Sequence, residues 1–425
     1  MSDNKNLSCN FCGKSREQVD KLIAGPGVYI CNECVTLSYK IVSDSIKELE
    51  EQSQEQIPSP QEIKEHLDQY IVGHTDAKEM IAVSAYNHYK RVMYRSDVEL
   101  EKSNILLIGS TGSGKTLFAK TLARKLHVPF AIADATTLTE AGYVGEDVES
   151  VLERLLVQAD FDLEQAQKGI VYIDEIDKKG RKSESNVNSR DVSGEGVQQA
   201  LLRLIEGTTT KVKMASGKKY SEDYVEFDTS NVLFILGGAF VGLEKIVEQR
   251  LRRRNAIGFG ASIITEQDRT HILQQVSPSD LVEFGIIPEL IGRLPIVGVL
   301  DTLSEQQLLR VLTSVKNNIL EQSQQLLKYD DIELVVSDDY LSTAAGIAVQ
   351  RKLGARALKT IIEQSLISIM FRAPELRKSG VTLIKFDKYP MSASDLPELH
   401  YEDGHTEPDT HYKLYRGNHG QTPTA

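Results

Sequence analysis

The sequence predicts an α/β protein: a parallel sheet with flanking helices, followed by a smaller, mainly helical domain and preceded by a four-cysteine module. Three observations lead to this prediction. Short apolar runs alternate with helical patterns between residues 62 and 303, which is typical of parallel strands connected by helices. A glycine-rich loop joins the first of these runs to a helix. All four cysteines lie within the first 50 residues.

Shifts in composition divide the chain into five segments. Residues 1–50 form the cysteine module, and the polar, proline-containing stretch 51–61 is predicted to be a linker. Residues 62–303 form the larger domain, and 304–388 form the smaller, mainly helical one. The segment 389–425 mixes proline, glycine, histidine and acidic residues without periodicity, so we expect a disordered tail there.

The composition also limits the class of protein. The chain has 425 residues, of which 40 % are hydrophobic and 26 % are charged, as in folded globular proteins. Its net charge of −12 argues against nucleic acid or a membrane surface as a partner. No apolar run reaches the ~20 residues that cross a bilayer, and residues 1–6 do not resemble a signal peptide. We therefore expect a cytoplasmic protein whose cysteines stay reduced.

Three apolar runs are predicted to be buried strands of the sheet, at 105–108, 170–173 and 232–236. Between the first two, residues 148–159 carry apolar side chains at helical spacing, and a second helix of this kind follows Gly194. The order of strands and helices therefore indicates a parallel sheet with its crossover helices.

The glycine-rich loop has the pattern G-x-x-x-x-G-K-[ST] in full, between a predicted strand and a predicted helix; it consists of Gly109, Ser110, Thr111, Gly112, Ser113, Gly114, Lys115 and Thr116. In such a loop, backbone N–H groups surround phosphate oxygens at the positive end of a helix. Lys115 is expected to contact the β- and γ-phosphates of ATP and Thr116 to bind Mg²⁺, and we include Leu117 among the nucleotide contacts. A glycine-rich turn without a ligand is the alternative, which this context disfavours.

Two acids follow the second predicted strand. Asp174 ends the strand, where it can hold Mg²⁺ directly or through water, and Glu175 is placed to activate a water molecule as a general base. Two acids after a strand can also be a solvated turn. Together with the phosphate loop (residues 109–116), they predict an ATP hydrolase.

The cysteines occur as two C-x-x-C pairs, Cys9 with Cys12 and Cys31 with Cys34. Two such pairs, 18 residues apart, have the spacing of a four-cysteine zinc site. Four thiolates leave no open position for catalysis, so the zinc is predicted to be structural. Four ordinary buried cysteines, or two redox pairs, remain the alternatives.

The cysteine module, the phosphate loop and the segment 174–178 together resemble the ClpX family of AAA+ protein unfoldases, over about residues 7 to 385. The resemblance implies an AAA+ large domain and small domain, and a homohexamer that hydrolyses ATP. It further implies that the ring recognises tagged or unfolded protein substrates and passes them through its pore into a ClpP-like peptidase. The zinc module is implied to bind substrates or adaptor proteins and to pair with its own kind.

Some nucleotide-site residues take their expected roles from this resemblance alone. Arg293 matches the arginine finger that acts on the nucleotide of a neighbouring subunit, and Arg356 matches the sensor-2 arginine of the small domain. Ile71 and Val72 lie where the family lines the adenine pocket.

The resemblance also implies residues that contact substrate and peptidase. Tyr143 and Val144 match the pore loop that grips the substrate polypeptide, and Arg190 lies in the second pore loop. The tripeptide that docks on the peptidase is matched by Ile257, Gly258 and Phe259.

The chain departs from the family at three places. It has Lys218, Lys219 and Tyr220 where the family has Arg-Lys-His at the pore entrance, and Ser110 where a proline is usual. No polar sensor residue is evident at the end of the 232–236 strand. Two other functions are considered: a stand-alone remodelling chaperone without a peptidase, and a zinc-bearing, nucleic-acid-binding assembly factor that uses ATP only as a switch.

Overall fold

The structure of the chain is a computed structural model. It describes residues 7–52, 57–94, 96–139, 145–180, 194–214, 223–255, 271–351, 354–392 and 394–415. The chain divides into two compact units, residues 1–57 and 58–425. In the described part of the chain, no helix is both long enough and apolar enough to cross a membrane.

The first unit is a β-hairpin followed by one long helix. Strands β1 (Leu22–Gly25) and β2 (Val28–Cys31) pair antiparallel, and α1 (Asn32–Gln52) starts directly after them. Among the described side chains of this unit, only those of Cys9 and Cys31 are buried. The unit therefore has almost no hydrophobic core of its own, so its fold needs another source of stability.

The first half of the second unit is built on a parallel sheet, as predicted. Its strands are β3 (Ile105–Gly109), β4 (Phe130–Asp134), β7 (Ile170–Asp174), β10 (Leu233–Gly238) and β11 (Ile296–Leu300). They are ordered β11-β3-β10-β7-β4, and every pair is parallel. The three predicted strands are β3, β7 and β10, the last of them shifted towards its carboxyl end. The central strands are buried on both faces, which explains their continuous apolar runs.

Helices pack around this sheet, and four shorter strands among the described residues form two separate two-stranded sheets. The helices are α2 (Pro60–Asp68), α3 (Thr75–Met93), α4 (Lys115–Leu126), α5 (Ser150–Gln158), α6 (Leu163–Gln167), α7 (Glu195–Glu206), α8 (Leu243–Asn255), α9 (Pro278–Phe284) and α10 (Pro288–Gly292). The short strands are β5 (Leu138–Thr139), parallel to β6 (Glu146–Asp147), and β8 (Thr209–Met214), antiparallel to β9 (Asp223–Asp228). The predicted helices at 148–159 and after Gly194 are α5 and α7.

The second half of this unit has its own cluster of buried side chains, separate from the cluster around the parallel sheet. Its helices are α11 (Glu305–Thr313), α12 (Ile319–Lys328), α13 (Asp338–Arg351) and α14 (Ala355–Lys378). They pack with a four-stranded sheet of β12 (Glu333–Val336), β13 (Val381–Phe386), β14 (Glu398–Tyr401) and β15 (Thr406–Pro408), in that order. The change from one cluster to the other falls close to residue 304, where Ser304 caps α11.

The prediction of a disordered tail from residue 389 is wrong as far as residue 415. The chain there adds β14 and β15 to the edge of β13, so backbone hydrogen bonds order a polar segment. Asp409 is buried and forms a two-pronged ion pair with Arg372 of α14. The Tyr412 hydroxyl donates to the Ser365 carbonyl at 2.8 Å. These partners lie about 40 residues earlier in the chain, so local composition could not reveal them.

The predicted linker at 51–61 is also too long at its carboxyl end. Ser59 and Glu62 form a capping box: the Glu62 N–H donates to Ser59 Oγ at 3.3 Å, and the Ser59 N–H donates to Glu62 Oε2 at 2.7 Å. Pro60 then occupies the first turn, where its missing N–H costs nothing, and α2 starts at this residue.

Candidate functional site

The phosphate loop connects β3 to α4 at the carboxyl edge of the parallel sheet. Gly112 and Gly114 have φ values of +82° and +98°, a region that favours glycine. At Gly109, a Cβ atom would lie 2.7 Å from the Leu300 carbonyl oxygen of β11, so glycine allows the two strands to approach. The loop can therefore turn tightly and lead directly into the N-terminus of α4, which is the arrangement that binds phosphate groups.

Lys115, the first residue of α4, points its ammonium group back into the loop. Its Nζ donates to the Gly109 carbonyl at 2.6 Å and to the Ser110 carbonyl at 3.2 Å. The residue is 8 % exposed, and burial lowers its pKa, although the carboxylate of Asp174 opposes this shift. Two carbonyl acceptors thus hold the ammonium group of Lys115 inside the loop.

The end of β7 brings Asp174 to the start of α4. Its Oδ2 accepts a hydrogen bond from Thr116 Oγ1 at 3.3 Å, while its Oδ1 accepts from the Tyr172 hydroxyl at 3.0 Å and from the Glu175 N–H at 2.9 Å. A hydroxyl and a carboxylate oxygen this close together are the hard oxygen donors that Mg²⁺ prefers. These residues therefore fit a magnesium ion.

One cavity of about 480 Å³ joins these groups. Its lining includes Thr111, Gly112, Gly114, Lys115, Thr116, Leu117, Asp174, Glu175 and Arg356, all of which the sequence had suggested. The volume lies in the usual range for a small-molecule site. Glu175 adopts φ +57° after the strand and is exposed to the cavity, so its carboxylate can reach solvent there.

Arg356 reaches the cavity because the first turn of α14 contacts the phosphate loop. The Ala355 N–H donates to the Gly112 carbonyl at 3.3 Å. A Cβ atom on Gly354 would lie 2.9 Å from that same carbonyl oxygen. This close approach, with φ +55° at Gly354, requires glycine and fixes the start of α14 against the loop.

The cavity contains residues that sequence reasoning missed. Asp177 is buried, and its Oδ1 accepts the Ala239 N–H at 3.2 Å. Ala239 and Val241 follow β10 and line the cavity, at the place where no polar sensor residue was found. The signal in the sequence that could have pointed to Asp177 was its place in the segment 174–178, three residues after Asp174.

Other predicted site residues lie elsewhere. Of the described residues, Ile71 and Val72 are buried but are not part of this cavity's lining, and neither is Arg293. The Arg293 Nε donates to Glu206 Oε1 at 3.0 Å, and both side chains are exposed. Several predicted positions lie outside the described residues: Tyr143, Val144, Arg190, Lys218, Lys219, Tyr220, Ile257, Gly258 and Phe259.

The four cysteines of the first unit come together. Their sulfur atoms lie within 4.8 Å of one another, and those of Cys12 and Cys31 are 3.6 Å apart. Sulfurs at the corners of a zinc tetrahedron are separated by about 3.8 Å, given Zn–S bonds of about 2.3 Å. The pKa of Cys9 is raised by burial but lowered more by backbone N–H donors, to about 6. Burial and the neighbouring thiols raise the pKa of Cys34 to about 12. Such a set fits a zinc ion, whose charge allows all four to ionise.

Removing zinc is expected to unfold the first unit and to leave the second folded. The reason is that Cys9 and Cys31 are the only buried side chains described in the first unit. The experiment treats the protein with a strong zinc chelator and follows amide hydrogen exchange by mass spectrometry. Complete exchange confined to residues 7–42 is the expected result. Unchanged protection there would mean that zinc does not stabilise this unit.

Comparisons with known protein families agree with both the nucleotide cavity and the four-cysteine cluster. A family described as the ClpX C4-type zinc finger matches residues 7–44, and the AAA domain (Cdc48 subfamily) matches residues 100–297. The C-terminal, D2-small domain of ClpB protein matches residues 303–379. An ATP-dependent Clp protease ATP-binding subunit ClpX from Treponema denticola is 48 % identical over 409 residues, covering 94 % of this chain and 98 % of the relative. With its nucleotide cavity and its four-cysteine cluster, this chain belongs to the ClpX family of AAA+ ATPases.

Proposed function

We propose that this chain is an ATP-dependent protein unfoldase that recognises tagged proteins, unfolds them and feeds them into a ClpP-like peptidase. The observation that carries the proposal is the single cavity in which the phosphate loop, Glu175 and Arg356 meet. A hydrolytic site that is lined by both halves of the unit can convert nucleotide turnover into movement between them. Tagged substrates, adaptor proteins and a cytoplasmic location are part of the same proposal.

The residues of the cavity have separable roles in hydrolysis. Lys115, held by loop carbonyls, would contact the terminal phosphates, and Thr116 and Asp174 would hold the magnesium ion, which neutralises charge on those phosphates. Glu175 is exposed in the cavity and would accept a proton from the attacking water. Its backbone N–H donates to Asp174, so the general base and the metal ligand are fixed relative to each other.

The coupling to movement would run through the start of α14. Arg356 lines the cavity and the Ala355 N–H is bonded to the loop carbonyl of Gly112, so a change at the phosphates acts on the small domain. The domains would then be a zinc module at 1–50, a large domain from the Ser59 cap of α2 to residue 303, and a small domain from 304 to 415.

Arg293 would act on a neighbouring subunit of a homohexamer. It is not part of the lining of its own chain's cavity, and it pairs with Glu206 at a site where both side chains are exposed. Exposed pairs of this kind contribute ~0–1 kcal/mol, so the guanidinium can leave Glu206 at little cost. Arginine fingers that are supplied in trans stabilise charge on the γ-phosphate in this way.

The substrate and peptidase contacts remain proposals from the family resemblance. Tyr143 and Val144 would grip the polypeptide, with Arg190 in the second pore loop. Ile257, Gly258 and Phe259 would dock on the peptidase.

The test is ATP-dependent unfolding of a stably folded, tagged reporter, measured with and without ClpP peptidase. The intact chain is expected to unfold the reporter, and degradation should require the peptidase. Tyr143→Ala should hydrolyse ATP but unfold poorly, whereas the control Tyr143→Phe, which keeps the ring, should retain unfolding. ATP hydrolysis without unfolding of any tagged protein would refute the unfoldase assignment. Unfolding without any effect of the peptidase would favour the stand-alone chaperone.

A further inference from the structure

Tyr172 is a fully buried tyrosine on β7, two residues before Asp174. Side chains two residues apart on a strand share one face, so the phenol and the carboxylate lie side by side. A phenylalanine ring would fill the same space without bringing a polar atom into the core. A buried hydroxyl is costly unless it is hydrogen-bonded, and this one donates to Asp174 Oδ1 at 3.0 Å. The hydroxyl therefore has a specific partner in the nucleotide site.

The two carboxylate oxygens of Asp174 have different hydrogen-bond partners. Oδ1 accepts two hydrogen bonds, from the Tyr172 hydroxyl and from the Glu175 N–H at 2.9 Å. Oδ2 faces Thr116 Oγ1 at 3.3 Å. Two donors on one oxygen oppose rotation of the carboxylate about its Cβ–Cγ bond. The carboxylate is thereby held with Oδ2 towards the threonine hydroxyl.

The neighbouring strand leaves space for this arrangement. A Cβ atom on Gly237 of β10 would lie 2.2 Å from the Tyr172 hydroxyl oxygen and 2.9 Å from Cζ of the ring. Glycine inside a strand weakens the strand, so its presence often marks a close approach of another group. Here that group is the phenol of Tyr172. Gly237 and Tyr172 thus form one packing unit beside Asp174.

We propose that Tyr172 is a positioning residue for magnesium: its hydroxyl holds Oδ1 of Asp174, so that Oδ2 is presented together with Thr116 Oγ1 to the metal. This inference rests on the proposed ATPase function and assigns that site a further residue. Groups that orient a metal-binding carboxylate typically change metal affinity by about 10–100-fold when they are removed.

The experiment compares the wild type with Tyr172→Phe, which removes one oxygen atom from the site. Binding of a fluorescent, non-hydrolysable ATP analogue is titrated against free Mg²⁺, and ATP hydrolysis is measured over the same range. We expect the half-saturating Mg²⁺ concentration to rise about tenfold in the variant. Binding of the analogue in EDTA should be unchanged, and kcat should recover at high Mg²⁺.

Tyr89→Phe is the matched control. Tyr89 is also buried, and its hydroxyl donates to the Lys168 carbonyl at 3.0 Å, away from the nucleotide cavity. Its variant loses the same atom and a hydrogen bond of the same length. A purely structural effect of losing a buried hydroxyl would appear in both variants, whereas the shift in Mg²⁺ dependence is expected only in Tyr172→Phe.

The outcomes separate this inference from the proposed function. If the wild type hydrolyses ATP and Tyr172→Phe shows the same Mg²⁺ dependence as the wild type, the role of Tyr172 is refuted and the ATPase stands. If the wild type neither binds nor hydrolyses ATP, the proposed function itself fails. Should Tyr172→Phe not fold, Gly237→Ala displaces the same hydroxyl; unchanged Mg²⁺ dependence in that variant would equally overturn the inference.

Discussion

Replacing Glu175 by glutamine is expected to lower kcat for ATP hydrolysis by about 10²–10⁴-fold, the usual contribution of a general base. ATP binding should persist, because the phosphate contacts come from the loop and from Lys115, which the substitution leaves in place. Glutamine has nearly the same shape as glutamate but cannot accept the proton of the attacking water. The variant should therefore hold ATP without turning it over.

Single-turnover hydrolysis and equilibrium binding of ATP, measured on the same preparation, check this prediction. Glu164→Gln is a suitable control, because Glu164 is an exposed acid on α6 that pairs with Lys168, and its variant should behave as the wild type. Asp174→Asn should differ from both: it removes the charge that faces Thr116, so we expect weaker Mg²⁺-dependent nucleotide binding as well. Near-normal hydrolysis by Glu175→Gln would mean that another group activates the water.

Asp409→Ala is expected to destabilise the small domain by about 3 kcal/mol, because it leaves the guanidinium of Arg372 without its partner. Asp409 is 2 % exposed, and the Arg372 side chain is 18 % exposed. Arg372 Nη1 donates to Asp409 Oδ1 at 3.0 Å, and Nη2 donates to Oδ2. Removing one member of a buried pair costs far more than the pair contributes, since the remaining charge stays poorly solvated.

Hydrogen exchange of the α14 amides measures this effect locally, which avoids treating a chain of several domains as two-state. The matched control is Glu402→Ala. Glu402 pairs with Arg377 of the same helix, but the two side chains are 60 % and 34 % exposed, so we expect a loss below about 1 kcal/mol. Equal protection of α14 in both variants would show that the pair of Asp409 with Arg372 does not stabilise the small domain.

Contiguous motifs were readable from the sequence because each carries its own geometry. The phosphate loop lies between a strand and a helix, all within about a dozen residues. Spacing alone therefore predicted that Lys115 and Thr116 lie where the glycine-rich turn leads into the helix. Asp174 and Glu175 follow a short apolar run that was predicted to be a buried strand, and this run is β7. The two C-x-x-C pairs likewise predicted a single cluster, and their sulfur atoms do converge.

Features that depend on distant segments were not readable in the same way. The sequence offered no reason to place β4 and β11 in the sheet, because their short runs become strands only when they pair with β7 and β3. The same holds for β14 and β15, whose polar residues are ordered by backbone bonds to β13 and by the ion pair of Asp409.

By itself, then, the sequence determined the parallel α/β fold, the nucleotide-binding motif, the pair of acids and the zinc-binding cysteines. Only the tertiary structure showed that Arg356 lines the same cavity as the phosphate loop, that Asp177 and Ala239 also line this cavity, and that the Tyr172 hydroxyl donates to Asp174. The physical reason is the range of the interactions. Turns, caps and paired ligands act between near neighbours in the chain, whereas hydrogen bonds across a sheet and contacts between domains join residues that are tens or hundreds of positions apart.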